Sequence, residues 1–87
     1  MKDNVTFSPD GWADYLYWQT EDKKTLKRIN QLISDILRNG LSNGIGKPEL
    51  LRHEKEWSRR IDESNRLAYT VEGGNLVILS CRGHYDD

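Results

Sequence analysis

The sequence predicts an α+β fold in which two helices pack on one face of a twisted, mainly antiparallel sheet, in the element order β-α-α-β-β-β. Three observations support this order. Apolar residues recur at helical spacing between Leu26 and Leu37, alternating strand patterns follow residue 57, and Gly73-Gly74 is typical of a two-residue hairpin turn. Helices that precede a run of antiparallel strands favour the α+β class.

The first third of the chain predicts a short strand and the start of two helices. Asn4 to Phe7 is the strand candidate, and Ser8 before Pro9 is typical of a helix start, because proline lacks only an N–H that would have no partner there. We expect the first helix over Asp10 to Trp18 and a cap at Thr20 for the second. Aromatic residues in the first helix are expected to form core and partner surface: Trp12, Tyr15, Tyr17 and Trp18.

The second helix carries the clearest periodic signal, and Gly40 is a suitable left-handed stop after it. One buried stripe is expected to contain Leu26, Ile29, Leu32, Ile33, Ile36 and Leu37. Residues 41–48 are predicted to form a loop. Strands are then expected at Trp57–Ile61, Leu67–Glu72 and Leu76–Arg82.

Strand alternation places two arginines on the sheet face opposite the helices. If Trp57 and Ile61 face the helices, Arg60 points to the open face, and Arg66 joins it from the next strand. The same alternation directs Arg59 toward the core side. We expect Arg59 to lie near an edge of the sheet with its charged head in water.

Composition predicts one soluble domain over residues 1–87 with a localised basic region. The net charge is −1, yet residues 23–66 carry eleven Lys and Arg against six acidic residues, and such a patch can bind phosphates. The single cysteine, Cys81, excludes an internal disulfide and favours a reducing compartment. Neither a signal peptide nor a bilayer-length apolar run is seen, so we expect a cytoplasmic protein without membrane contact.

Four polar residues would form a site for RNA cleavage if the fold brought them together: Glu49, Arg60, Arg66 and His84. RNA carries its own nucleophile, the 2′-hydroxyl. An enzyme therefore needs a base for that proton, cations for the phosphorane and an acid for the leaving 5′-oxygen. A carboxylate, two guanidiniums and an imidazole supply these groups without a metal or cofactor. Tyr85, beside such a cleft, can stack on a base.

Each residue also has a structural interpretation. Glu49 can start a helical turn or pair with Arg52, and spacing alone favours that. His84 can be an exposed histidine near a terminus, and the two arginines can be ordinary cross-strand charges. Cys81 and His84 have a metal-like spacing, but one Cys and two His do not complete a zinc site without carboxylates, so no metal site is predicted. Only the set of residues indicates a nuclease.

Five ordered blocks of this chain resemble the Txe/YoeB family of bacterial toxin–antitoxin systems, within the RelE-like superfamily. The blocks are Trp12–Trp18, Gly46–Leu51, Trp57–Ile61, Arg66–Tyr69 and Cys81–Tyr85, and the match covers nearly the whole chain. The resemblance implies a RelE-like fold and a metal-independent, ribosome-dependent endoribonuclease that cuts mRNA in the ribosomal A site. It also implies a cognate YefM/Axe-like antitoxin as a partner and contact with operator DNA only through the antitoxin complex. A homodimer is possible in this family as well.

By motif position, the resemblance assigns the general base to Glu49, the general acid to His84 and phosphate stabilisation to Arg66. Arg60 corresponds to a second basic site residue, and Tyr85 to a tyrosine that helps to position the substrate. The expected RNA- or ribosome-binding cations are Lys47, Arg52 and Arg59.

Two departures from the family pattern bear on activity. Arg52 stands where the family has Lys, which keeps the charge but changes the geometry, and Asp86-Asp87 follow the usual terminal tyrosine, where carboxylates would repel RNA. Two other functions stay open. One is a non-catalytic binding toxin similar to the gyrase-inhibiting ParE group, which the presence of both Glu49 and His84 disfavours. The other is an inactive regulator that only binds its antitoxin and DNA.

Overall fold

Two helices and one five-stranded sheet make up the computed structural model, which describes residues 4–51 and 55–83. The strands are β1 (Val5–Phe7), β2 (Glu49–Leu50), β3 (Trp57–Arg60), β4 (Arg66–Glu72) and β5 (Asn75–Ser80), and the helices are α1 (Pro9–Glu21) and α2 (Lys23–Asn39). The predicted α+β class is confirmed. The structure adds β2, which the sequence prediction missed because two residues are too few to show an alternating pattern.

The sheet is mixed, with strand order β1-β5-β4-β3-β2. β1 pairs in parallel with β5, and the other three neighbouring pairs are antiparallel. Gly73 and Gly74 join β4 to β5 with φ angles of 56° and 80°, as a tight hairpin turn requires. Both the predicted hairpin and the mainly antiparallel sheet are therefore confirmed.

Helix α1 lies directly on β5. Ser8 caps the helix, since its hydroxyl accepts a hydrogen bond from the Gly11 N–H at 3.0 Å. A Cβ at Gly11 would collide with the carbonyl oxygen of Ile78, so glycine allows the helix backbone to approach the strand. Near the other end of the helix, Trp18 Nε1 donates to the Cys81 carbonyl at 2.8 Å.

Helix α2 follows α1 without a linker, because Asp22 ends the first helix and caps the second. The Asp22 carboxylate accepts hydrogen bonds from the N–H groups of Lys24 and Thr25 and from the Thr25 hydroxyl. These bonds, chiefly the one from the Thr25 hydroxyl, hold the pKa of Asp22 below its usual range. The predicted cap at Thr20 was wrong, since that hydroxyl bonds within α1 to the Tyr17 carbonyl at 3.2 Å.

The core lies between both helices and one face of the sheet. The predicted stripe of α2 is confirmed: Ile29, Leu32, Ile33 and Ile36 are buried, and Leu26 and Leu37 pack against them. The sheet and α1 supply Leu67, Tyr69, Leu76, Ile78 and Trp18 to the same core. Of the two helices in the described ranges, neither is long and apolar enough to cross a membrane.

Strand β5 ends at Ser80, two residues earlier than predicted. The reason lies in the partners of Cys81, whose N–H donates to Asp14 Oδ2 at 3.0 Å and whose carbonyl accepts from Trp18. These backbone groups bond to side chains of α1 instead of to the β4 ladder. The chain therefore leaves the sheet at Cys81, where side chains of α1 bind its backbone.

Candidate active site

Three strands bring the candidate catalytic side chains to one face of the sheet. In the ladder, Glu49 of β2 lies opposite Ser58 of β3, and Arg60 of β3 lies opposite Arg66 of β4. Directly paired residues of antiparallel strands point to the same face, and residues two apart on one strand do so as well. The core residues of β4, Leu67 and Tyr69, point to the other face, so the predicted open-face position of both arginines is confirmed.

Arg66 is the centre of this group. Its Nη2 donates to Glu49 Oε2 at 3.2 Å, and its Nε donates to Ser58 Oγ at 3.0 Å. The Arg66 side chain is 14% exposed and the Glu49 side chain is 59% exposed. The arginine is thus held by the protein while the carboxylate faces solvent. Glu49 lies in β2 and therefore does not start the helical turn that spacing alone allowed, and its other expected partner, Arg52, lies outside the described residues.

Ser58 is a member of this group that sequence reasoning missed. Its side chain is fully buried, and its hydroxyl accepts the hydrogen bond that orients the Arg66 guanidinium. A serine inside an alternating strand has no distinctive pattern, and its partner lies eight residues away on the next strand. Only the pairing of β3 with β4 shows that the two side chains meet.

Arg60 is exposed next to Arg66. Like charges directly opposite each other on neighbouring strands repel, and Glu49 compensates the charge of Arg66. The face therefore offers an exposed cation to an incoming phosphate.

The loop before Glu49 has an uncommon backbone conformation. Lys47 has a φ of 52°, a left-handed value that residues with a side chain rarely adopt, and it stands before Pro48, which further restricts it. A Cβ at Gly46 would come within 2.7 Å of Leu32 Cδ2, so glycine lets the loop pack on α2. Strain of this kind concentrates at functional sites. The Lys47 side chain is exposed, as its predicted RNA contact requires.

Arg59 is fully buried, so the expectation that its head lies in water was wrong. All five guanidinium N–H groups donate hydrogen bonds, and the acceptors are the Tyr69 hydroxyl, Asp35 Oδ2 and the carbonyls of Gly40, Asn43 and Ile45. Its charge is tolerated in the interior because Asp35 and these carbonyls compensate it. With every donor in use, Arg59 holds residues 40–45 against the sheet and is unavailable to an RNA phosphate.

The partners of Arg59 have shifted pKa values for identifiable reasons. Burial alone would raise the pKa of Asp35, but hydrogen bonds from Arg59, the Ile45 N–H and Asn39 outweigh it and hold the pKa below its usual range. Burial raises the pKa of Tyr69, against the opposing effect of Arg59. Tyr69 therefore stays a phenol, and it donates to the Leu41 carbonyl at 2.7 Å.

The segment that leads to the C-terminus is fixed at Gly83. Its N–H donates to Asn65 Oδ1 at 2.8 Å, and its carbonyl accepts from the Arg66 N–H at 2.9 Å. The residue before His84 therefore lies beside the backbone of Arg66. Three of the predicted site residues lie outside the described residues and stay predictions: Arg52, His84 and Tyr85.

Cys81 belongs to the core, as the sequence predicted. Burial, reinforced by the charge of Asp14, raises the pKa of its thiol to about 12, so the group is neutral and inert. Within residues 4–51 and 55–83, His, Cys, Asp and Glu side chains form no group of three or more that could hold a metal ion.

Comparison with known proteins gives consistent matches over nearly the whole chain. A family model described as the YoeB-like toxin of bacterial type II toxin–antitoxin systems matches residues 7–85. Toxin YoeB of Escherichia coli K12 is 49% identical over 83 residues, which are 93% of this chain and 98% of that protein. Toxin YoeB of Streptomyces coelicolor is 47% identical over the same shares.

Solved structures show the same fold. A YoeB dimer from Staphylococcus aureus matches with a TM-score of 0.89 and 49% identity, over 94% of this chain and 97% of that chain. A heterotetrameric YoeB–YefM complex from the same organism matches with a TM-score of 0.87 and 47% identity, over 98% and 100%. The DinJ–YafQ complex of E. coli, at 15% identity and a TM-score of 0.78, is similar in fold alone. The predicted RelE-like fold is confirmed.

Proposed function

This chain belongs to the YoeB-like toxins of bacterial type II toxin–antitoxin systems, and from that premise we propose that it is a ribosome-dependent endoribonuclease. The observation that carries the proposal is the Glu49–Arg66 pair on the open face of the sheet, with Arg60 exposed beside it. A solvent-facing carboxylate and two guanidiniums supply a base and phosphate-binding cations. The proposed reaction uses neither a metal nor a cofactor, because RNA supplies the nucleophile.

In the proposed reaction, Glu49 removes the proton of a 2′-hydroxyl, and that oxygen attacks the adjacent phosphorus. The bond from phosphorus to the 5′-oxygen breaks, and His84 donates a proton to the departing oxygen. The products are a 2′,3′-cyclic phosphate and a 5′-hydroxyl. Arg66 and Arg60 stabilise the charge that develops on the phosphorane, and Tyr85 positions the substrate.

The resting ion pair is arranged so that substrate can open it. A phosphate that takes over Arg66 Nη2 releases the Glu49 carboxylate, which then is free to accept a proton. The hydrogen bond from Arg66 Nε to buried Ser58 remains and keeps the guanidinium oriented during the exchange. An exposed pair of this kind contributes only about 0–1 kcal/mol, so little free energy opposes its replacement.

We further propose that the enzyme acts in the cytoplasm on mRNA in the ribosomal A site, with Lys47 and Arg52 as contacts to RNA. The exposed Lys47 and the basic middle of the chain support this assignment. A YefM-like antitoxin and a homodimer are proposed as partners, because relatives 47% and 49% identical were solved as a YoeB–YefM complex and as a YoeB dimer. Operator DNA would be contacted only through the antitoxin complex.

The test is cleavage of mRNA on programmed bacterial ribosomes by the parent, Glu49→Gln and His84→Ala. Loss of a general base or acid should lower the single-turnover rate by about 10²–10⁴-fold. Glu72→Gln is the matched control, because it removes an exposed carboxylate at the hairpin end of β4 and should leave the rate unchanged. A message with a 2′-deoxy nucleotide at the attacked position should resist cleavage.

Two results would contradict the proposal. Cutting of the 2′-deoxy message would exclude attack by the 2′-hydroxyl. A folded parent that cuts no ribosome-bound message would exclude the nuclease and would favour a binding toxin, with inhibition of gyrase as the next assay.

A further inference from the structure

We propose that Asn65, in the turn between β3 and β4, is a positioning residue that docks Gly83, the residue before the proposed acid His84, beside Arg66. This role rests on the nuclease function proposed above. Asn65 does not touch the reacting atoms, and its effect passes through the backbone of Gly83, the residue that precedes His84.

Gly83 is bonded through both of its backbone polar groups to two consecutive residues. Its N–H donates to Asn65 Oδ1 at 2.8 Å, and its carbonyl accepts from the Arg66 N–H at 2.9 Å. Two bonds of opposite direction fix the position and the orientation of the peptide groups on either side of Gly83. The second bond uses the backbone of the proposed phosphate-binding arginine. The acid-bearing segment and Arg66 are thus located relative to each other.

The Asn65 side chain is oriented by its own turn. Its Nδ2 donates to both carboxylate oxygens of Asp62, at 3.1 and 3.2 Å, and Asp62 Oδ1 also accepts from the N–H groups of Ser64 and Asn65, each at 2.8 Å. Because the amide nitrogen is held by the Asp62 carboxylate, the amide oxygen is the acceptor that remains for the Gly83 N–H. The acceptor for the C-terminal segment is therefore set in place by local contacts.

The same segment is held on its other side by α1. Trp18 Nε1 bonds to the Cys81 carbonyl, and the Arg82 guanidinium lies 3.7 Å above the centre of the Tyr17 ring. These contacts do not involve Asn65. Loss of the Asn65 acceptor should therefore leave the segment attached to α1, and the fold intact, while residue 83 keeps only the bond from the Arg66 N–H and can shift relative to the catalytic strands. Displacement of a catalytic group by about 1 Å can lower a rate by about 10²-fold.

The kinetic test compares Asn65→Leu, which has a similar size and no acceptor, with the parent on programmed ribosomes. We expect kcat to fall by about 10–100-fold while KM changes by less than about threefold, because cations that bind RNA are untouched. Asn4→Leu is the matched control, since Asn4 is an exposed amide at the opposite edge of the sheet, bonded to Asn75 at 3.3 Å. An unchanged kcat in Asn65→Leu would overturn the proposal.

A double-mutant cycle with His84→Ala separates positioning from general damage. If Asn65 acts through His84, Asn65→Leu should lower the residual rate of His84→Ala by less than about twofold. If instead Asn65→Leu lowers the rate by the same factor in both backgrounds, its effect is independent of His84 and the proposed role is wrong.

Hydrogen exchange of the Gly83 amide tests the docking without reference to activity. In the His84→Ala background, NMR should show a protected Gly83 amide whose exchange becomes at least about tenfold faster after Asn65→Leu. An unprotected amide before that substitution would refute the docking, whatever the cleavage assay shows. A parent that cuts no message would refute the proposed nuclease. Failure of the docking is thus measured by hydrogen exchange, and failure of the nuclease by the cleavage assay.

Discussion

Substitution of Asp35 by Asn tests the buried centre that holds the loop before the site. Asp35 Oδ2 accepts from Arg59 Nη1 at 2.5 Å and from the Ile45 N–H at 3.0 Å, while Oδ1 accepts from Asn39 at 2.8 Å. An asparagine keeps one amide oxygen for these donors but carries no charge. Arg59, which has 0% exposure, would then retain its positive charge in the interior without a counterion.

The expected loss is about 3 kcal/mol of the free energy of unfolding. Removal of one partner from a buried ion pair costs about 3–5 kcal/mol, and the retained amide oxygen places Asp35→Asn at the lower end. A domain of this length has about 4–13 kcal/mol in total, so the variant loses a large share of its stability. The melting temperature should fall by roughly 12–24 °C, at about 4–8 °C per kcal/mol.

The loss should depend on pH in a defined direction. The pKa of Asp35 is lower in the folded protein than its ordinary value of 3.8, so the folded state favours the carboxylate. That contribution is complete above the unfolded pKa and disappears as pH falls through the folded pKa. The difference between the parent and Asp35→Asn should be constant from pH 5 to 8, to within about 0.5 kcal/mol, and should shrink below about pH 4.

Urea unfolding at several pH values, followed by tryptophan fluorescence, measures the free energy of unfolding and its pH dependence. Asp10→Asn is the control, because Asp10 is an exposed carboxylate in the first turn of α1 and its loss should cost at most about 1 kcal/mol. A loss below about 1 kcal/mol for Asp35→Asn, or a difference that grows as the pH falls, would refute the account of Arg59 as a compensated buried charge.

Three further predictions concern separate contacts. Gly11→Ala should lower the free energy of unfolding by about 1–3 kcal/mol, measured by thermal unfolding, because the added Cβ meets the Ile78 carbonyl. An unchanged stability would mean that α1 can move away from β5. Ser58→Ala should lower the free energy of unfolding by about 1.5–3 kcal/mol and lower kcat with little change in KM, because Arg66 loses an orienting acceptor. Equal kcat values for the parent and Ser58→Ala would exclude this role. The Cys81 thiol, with a pKa of about 12, should react with a disulfide reagent at pH 8 only as fast as the protein unfolds, and immediate reaction would contradict its burial.

Local patterns predicted the parts of the fold that depend on neighbouring residues. The stripe of α2 and the Gly73-Gly74 turn follow from spacing and backbone freedom, and both are confirmed. Local patterns did not decide between Thr20 and Asp22 as the cap of α2, because both residue types cap helices. The length of α1 decides between them.

Contacts between distant residues account for the misses. Alternation directed Arg59 toward the core correctly, but its compensating partner Asp35 lies 24 residues away on α2, and no spacing rule connects them. Glu49 was a candidate because of its carboxylate, but its role as the base came from the family resemblance, since spacing alone favoured a helical turn or a pair with Arg52. Its pairing with Arg66 depends on β2, which is visible only once the sheet has formed.

The place of β1 in the sheet also determines when the protein can finish folding during its own synthesis. Among residues 4–51 and 55–83, β1 is the first strand to be made, yet it pairs with β5, the last of these strands. Domains fold as their chains emerge, at about 5–20 residues per second, but this sheet cannot close until β5 has also emerged. A newly made copy therefore gains its complete sheet, and the docked segment at Gly83, only after β5 and the residues that follow it have been made.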